Sequence, residues 1–356
     1  MFKNMNKNTN PNFRNLYAFG KKCKFDLSLS ENPLGCSPRV LNLLKSATQK
    51  DFFDYPDPDC QRLSDSLSEK LNVDAKSIFI SNGSESIIKL ICQVVIKTDD
   101  EVVIPELTFP MFKIAASMFG AKILESLMDD DLSIDILNVK KMVSEKTKII
   151  FICNPNNPTG SLLDSKEIIK IVTSTKAIVV VDEANIEFGG KTVVALTKKF
   201  KNLVVLRTFS KAFGLAGLRI GFCVANQDFV KRLKQFNQLF PVTSLSQIAA
   251  LESLVDNKFI SKTKSFMDCE RQFLTEELRK RGFLVIDSKA NNLFIRVDNI
   301  ARTSTEFIDK LNKLDISLVD GANLGPKWNK FVRMSPRLRK TNRQFLKALD
   351  KVLMIR

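Results

Sequence analysis

Between residues 77 and 224 the chain alternates short apolar runs with stretches whose apolar positions recur at helical spacing. The runs are SIFIS (77–81), DEVVIP (100–105), AKILES (121–126), KIIFIC (148–153), AIVVVD (177–182), LVVLRT (203–208) and LRIGFCV (218–224). Patterns such as Glu85–Ile96 and Ser165–Thr173 predict amphipathic helices between them. Strands that are apolar throughout need cover on both faces. The pattern therefore predicts an α/β fold with a mainly parallel seven-stranded sheet flanked by helices. Ligands of such sheets sit beyond the carboxyl ends of the strands, and polar motifs fall at those ends here.

From about residue 250 the pattern changes. A long helical region (246–281) precedes strands near Phe283–Ile286 and Asn292–Val297. A helix (305–313), a strand near Phe331–Ser335 and a closing helix (341–354) follow. At 356 residues the chain exceeds one ordinary domain. We expect a large domain over 45–245 and a small α+β domain over 246–356, the latter joined by the N-terminal segment 1–44.

A hydrophobic share of 44% and a charged share of 26% suit a globular protein with a sizeable core. No apolar run approaches the ~20 residues of a membrane helix, so no membrane partner is expected. The first sixteen residues, MFKNMNKNTNPNFRNL, lack the apolar centre of a signal peptide and are expected to fray. Seven cysteines, an odd count without CxxC pairs, point to a reducing, cytoplasmic setting. The chain has no histidine, which excludes His-built zinc sites and Ser-His-Asp triads. Its chemistry must rest on Lys, carboxylates, Tyr, Cys or a cofactor, and no metal is expected. The net charge of +16 would permit nucleic-acid binding. The basic residues are spread, however, and the densest stretch, Arg333 to Arg343, lacks interleaved aromatics. Solvated lysines explain the charge, no nucleic-acid partner is expected, and the positive surface would draw anionic ligands.

Four segments carry candidate chemistry. Ser81-Asn82-Gly83-Ser84-Glu85 leads from a strand into a helix, and its N–H groups form either a phosphate cradle or an ordinary cap. Asn154 to Gly160, NPNNPTG, is a rigid turn that can present Asn157 as a fixed amide donor. Asp182 ends a buried strand, where a carboxylate needs a partner: an arginine, a cap or a cationic ligand nitrogen. Ser210-Lys211 opens a mostly apolar loop ending at Arg219. A lysine desolvated there beside another cation loses basicity, which favours the neutral amine of Schiff-base chemistry.

In order and spacing, SKAFGLAGLR, CNPNNPTG, VDEANIEF, LSENPLGCSP and YPDP resemble the fold-type I pyridoxal 5′-phosphate (PLP) aminotransferases, closest to the histidinol-phosphate aminotransferase branch, from about Tyr17 onward. The resemblance implies that Lys211 carries PLP as a Schiff base and moves the substrate proton, while Asp182 pairs with the pyridine nitrogen. It implies that Asn157 donates to the phenolic oxygen and that Phe109, where the family usually has Tyr, stacks on the ring. Gly83, Ser84, Glu85, Ser210 and Arg219 would hold the phosphate end. Tyr55 would reach the phosphate of a neighbouring subunit in a homodimer. Asn32 and Arg333 would grip the substrate, Arg333 by its α-carboxylate.

Two positions depart from the family pattern. The tyrosine of DEAYIEF is Asn185 here, a shorter donor expected to alter cofactor binding. The arginine that holds the substrate phosphate in close relatives is replaced by Val319, unless Arg337 or Arg339 substitutes. The implied activity is transfer of an amino group between an amino acid or amine and a 2-oxo acid such as 2-oxoglutarate. The donor is histidinol phosphate or an aromatic amino acid. The alternatives are a PLP lyase resembling threonine-phosphate decarboxylases and a PLP-binding protein without catalysis.

Overall fold

A computed structural model describes residues 23–354, and the expectations for the first sixteen residues and Tyr17 lie outside that range. The strands among the described residues are β1 (Phe25–Asp26), β2 (Ile78–Ser81), β3 (Glu101–Pro105), β4 (Lys122–Ser126), β5 (Thr147–Cys153), β6 (Ile178–Asp182) and β7 (Leu203–Thr208). They continue with β8 (Gly221–Val224), β9 (Leu284–Val285), β10 (Leu293–Arg296), β11 (Ile316–Ser317), β12 (Val319–Asp320) and β13 (Phe331–Met334).

Each of the seven apolar runs supplies one strand of a single sheet, ordered β2-β8-β7-β6-β5-β3-β4. Neighbours are parallel except around β8, which is antiparallel to both β2 and β7. The reason lies in the link. Parallel strands need a long crossover, usually a helix. The loop 209–220 between β7 and β8 holds only the short turn Ala216–Leu218, so the chain folds straight back. That reversal suspends Ser210 to Arg219 over the carboxyl end of β7.

Alternate residues of each strand enter two separate cores, which explains the unbroken apolar runs. Ile150, Ile152, Val179, Val181, Leu203 and Val205 meet the helices Gln61–Leu71, Ser165–Val172 and Ser244–Val255 on one face. Ile149, Phe151, Val180, Val204 and Leu206 meet Gly83–Val95, Met111–Met118 and Gln227–Phe236 on the other.

A four-stranded antiparallel sheet, β12-β13-β10-β9, packs with the helices Asn257–Lys280, Ser304–Asn312 and Arg339–Met354 around a third core. β1 pairs in parallel with β11, and Leu27 joins this core. Val40, in the helix Pro38–Lys45, packs instead into the core of the large sheet.

Two elements differ from expectation. The helical region 246–281 is broken at Asp256, whose carboxylate takes the Phe259 N–H (3.0 Å) and caps a second helix. The run 218–224 forms a strand only from Gly221, because Arg219 sits in the left-handed region at φ 49°. No helix among the described residues is long and apolar enough to cross a membrane.

Candidate active site

Register sets the floor of the site. Cys153 ends β5 opposite Asp182 of β6, and Asp182 faces Leu206, two residues before Thr208. A cavity of about 520 Å³ opens above these ends. Its wall includes Ser84, Glu85, Phe109, Asn157, Asp182, Asn185, Ser210, Lys211, Arg219 and Arg333.

Asp182 is 2% exposed, and among the described residues no lysine or arginine nitrogen forms an ion pair with it. The arginine at this strand end belongs to its neighbour. Glu183 takes bonds from Thr192 Oγ1 and Val193 N (2.6 Å each) and from Arg207 (3.3 Å), which also bonds Glu187. Asp182 keeps one N–H bond, from Ala184 at 3.0 Å. Burial raises its carboxyl to about 6, against the pull of that bond and of the Lys211 charge. A buried acid so poorly paired is suited to a cationic ligand nitrogen.

Lys211 is anchored through Phe209, whose ring packs on Phe213 (4.8 Å) and Phe222 (5.9 Å). Its Nζ donates to the carbonyl of Ser30 at 3.2 Å. Burial lowers the amine to about 8, with Arg333 and Arg219 pushing the same way and Glu31 and Asp182 opposing. A substantial neutral fraction near pH 8 follows.

Arg219 closes one end of the cavity against the start of the helix Gly83–Val95. Gly83, at φ +79°, stands behind it: a Cβ there would lie 3.1 Å from Arg219 Nη2. Asn82 makes no side-chain cap bond, so the first N–H groups are not taken by the ordinary cap. With the Ser84 and Ser210 side chains beside them, they form a cradle for an anion. Glu85 lies at its edge, paired with Lys89 at 2.8 Å.

At the other end, Arg333 of β13 donates to Asn157 Oδ1 (3.0 Å) and to the Ser28 carbonyl. That bond directs the Asn157 amide nitrogen away from Arg333. Phe109 supplies an aromatic wall and packs edge-on against Phe112 at 5.6 Å. Asn185 is buried, and its Oδ1 has no hydrogen-bond partner among the described residues.

Asn32 and Tyr55 stand apart from this wall. Asn32 donates to Ala212 O (2.9 Å) and Thr263 Oγ1 (3.2 Å), bracing the lysine loop from behind. Tyr55 is 82% exposed and stacks on Phe240 at 4.6 Å. Leu29, Ser30, Met111, Cys153 and Thr208 also line the cavity and were not expected from the sequence. The register with Asp182 could have indicated Cys153 and Thr208. Burial and the Asp182 charge hold the Cys153 thiol far above its ordinary value. Val319 lies opposite Arg333 on β12, buried. Arg337 is tied to Glu31 (2.8 Å) and Arg339 to Glu270 (2.9 Å), and neither is in the cavity wall.

The sequence model of the family described as aminotransferase class I and II matches residues 22–349. A histidinol-phosphate aminotransferase from Methanococcus aeolicus is 35% identical over 335 residues, 92% of this chain and 89% of that protein. The solved histidinol-phosphate aminotransferase of Clostridium acetobutylicum has TM-score 0.87 at 27% identity, covering 93% of this chain and all (100%) of that one. The enzyme from Sinorhizobium meliloti, solved with pyridoxal 5′-phosphate, has TM-score 0.88 at 22% identity over 94% and 92% of the two chains, a likeness of fold.

Proposed function

We propose, because this chain belongs to the aminotransferase class I and II family and is a PLP-dependent aminotransferase, that the cavity above β5, β6 and β7 takes an amino group from histidinol phosphate and passes it to a 2-oxo acid. The observation that carries this is the meeting of Lys211 and Asp182 in one cavity, between an anion cradle at Arg219 and a second cation at Arg333. The residues fit the cofactor. A Cβ at Gly83 would narrow the cradle, and the buried, poorly paired carboxylate of Asp182 is the kind of group a protonated ring nitrogen satisfies.

In this reading Arg219, Ser84, Ser210 and the helix start at Gly83 hold the cofactor phosphate, with Glu85 fixing Lys89 at the rim. Asp182 keeps the ring nitrogen protonated, Asn157 and Asn185 address the phenolic oxygen, and Phe109 covers the ring face. When bound, the cofactor supplies an aldehyde that condenses with amines and a ring that draws electrons from the adjoining carbon. Lys211 provides the neutral Nζ that takes the substrate proton and returns it. Arg333 receives the carboxylate of the 2-oxo acid through charge-assisted bonds. Asn32 supports the substrate side by bracing Ala212.

Kinship with histidinol-phosphate aminotransferases supports the donor and a place in histidine biosynthesis. An aromatic amino acid is the second reading, favoured by Val319 and by the engaged state of Arg337 and Arg339. A lyase has less support, since the family and the relative at 35% identity are aminotransferases.

A homodimer that places Tyr55 at the partner's phosphate end is supported by the exposed Phe52, Phe53, Tyr55 and Leu239. The free cysteines suit a reducing cytosol. The test is single-turnover spectroscopy with histidinol phosphate, aromatic amino acids and phosphothreonine, with CO₂ measured. Conversion by histidinol phosphate, reversed by 2-oxoglutarate, is expected. Conversion by aromatic amino acids alone would establish the second donor. CO₂ release would move the enzyme to the lyases.

A further inference from the structure

The turn Ser288–Asn292 of the small sheet region touches both sides of the site without lining it. It is braced internally: Ser288 Oγ donates to Asn292 O (2.7 Å) and accepts the Ala290 N–H (3.1 Å), while Arg271 holds Ala290 O (2.7 Å). On one side the turn docks on NPNNPTG, where Lys289 N donates to Gly160 O at 2.8 Å and Asn292 Nδ2 to Pro158 O at 2.5 Å. On the other side Asn291, 1% exposed, donates its amide to the carbonyl of Ser30 at 2.9 Å. That carbonyl also accepts from Lys211 Nζ.

We propose that Asn291 is a positioning residue that keeps Lys211 ready to react, by occupying one side of the Ser30 carbonyl and fixing the other toward Nζ. A carbonyl oxygen has two acceptor directions. Sharing it with a neutral amide weakens its hold on the ammonium form of Lys211, because a bond to the charged form favours that form. The shared carbonyl thus points Nζ while leaving it easy to deprotonate. This rests on the reading of Lys211 as the cofactor-bearing residue. Loading needs the neutral amine: a C=N double bond replaces the aldehyde C=O, and both amine protons leave on that oxygen as water.

The test follows the rate of PLP loading onto cofactor-free protein against pH, by the rise of the cofactor's visible band, in wild type, Asn291→Ala and Asn291→Asp. Loss of the amide donor frees the carbonyl for the ammonium. The midpoint should move to higher pH, slowing loading near pH 7.5 roughly three- to tenfold in Asn291→Ala. Asn291→Asp keeps the shape but adds a negative charge, so its midpoint should rise further. Where Asn291→Ala fails to fold, Asn291→Leu, which keeps the bulk but has neither the donor nor a charge, decides in its place, with the same upward shift expected. A folded variant with an unchanged midpoint, differing only in melting temperature, overturns the proposal and leaves the assignment of Lys211 intact. Failure of wild type to load PLP at all would sink both.

Discussion

At Asp182 and Lys211 burial works against charge in opposite pH windows, so each can be read separately in cofactor-free protein. Asp182 rises to about 6, so the folded state holds a proton that the unfolded state releases at lower pH. Its contribution is fully present below the usual carboxylate range and is lost as pH climbs through 6. Lys211 falls to about 8, so between 8 and its usual value the unfolded state binds more protons and stability rises with pH. Urea titrations should show the first slope flattened in Asp182→Asn and the second in Lys211→Met. Asp182→Asn should also lower kcat on the order of a hundredfold or more, measured with saturating cofactor. Asn185→Tyr should tighten cofactor binding, read by equilibrium titration of the absorbance. Identical titrations would discredit a distinct role for the amide.

At the scale of elements, the turn NPNNPTG meets the small sheet region at one point of extreme closeness. Gly160 has φ +75°, and a Cβ there would lie 2.0 Å from Ser288 Oγ. Gly160→Ala should therefore destabilise the protein by about 2–4 kcal/mol, checked by the shift in urea midpoint. The seven long strands were legible because each is an apolar run over several positions. β1, β11 and β12 were not, since each pairs one apolar with one polar residue, whereas the equally short β9 lies inside the apolar run Phe283–Ile286. The break at Asp256 was hidden because the helical apolar spacing continues on both sides of it. In the site, side chains with distinctive chemistry, Lys211 and Asp182 above all, could be read from the motifs. Ser30 could not, because it acts on Lys211 through a backbone carbonyl that any residue would carry.

For the whole molecule, the question is what covers the apolar surface around Tyr55. Phe52 and Phe53 are each 70% exposed and Leu239 71%, a grouping that soluble monomers seldom leave to water. Phe53→Asp should shift the protein toward monomer in sedimentation velocity. Tyr55→Phe should keep the dimer and weaken cofactor affinity roughly three- to tenfold. If the Phe53→Asp monomer binds PLP as tightly as wild type, the proposed sharing of Tyr55 between subunits is wrong. Which amine holds the cofactor is read by borohydride reduction of the PLP-loaded protein, followed by peptide mass mapping. The pyridoxyl mass should sit on the peptide containing Lys211 and disappear in Lys211→Ala. Its appearance on a different lysine, or an undiminished label in that variant, would contradict the account.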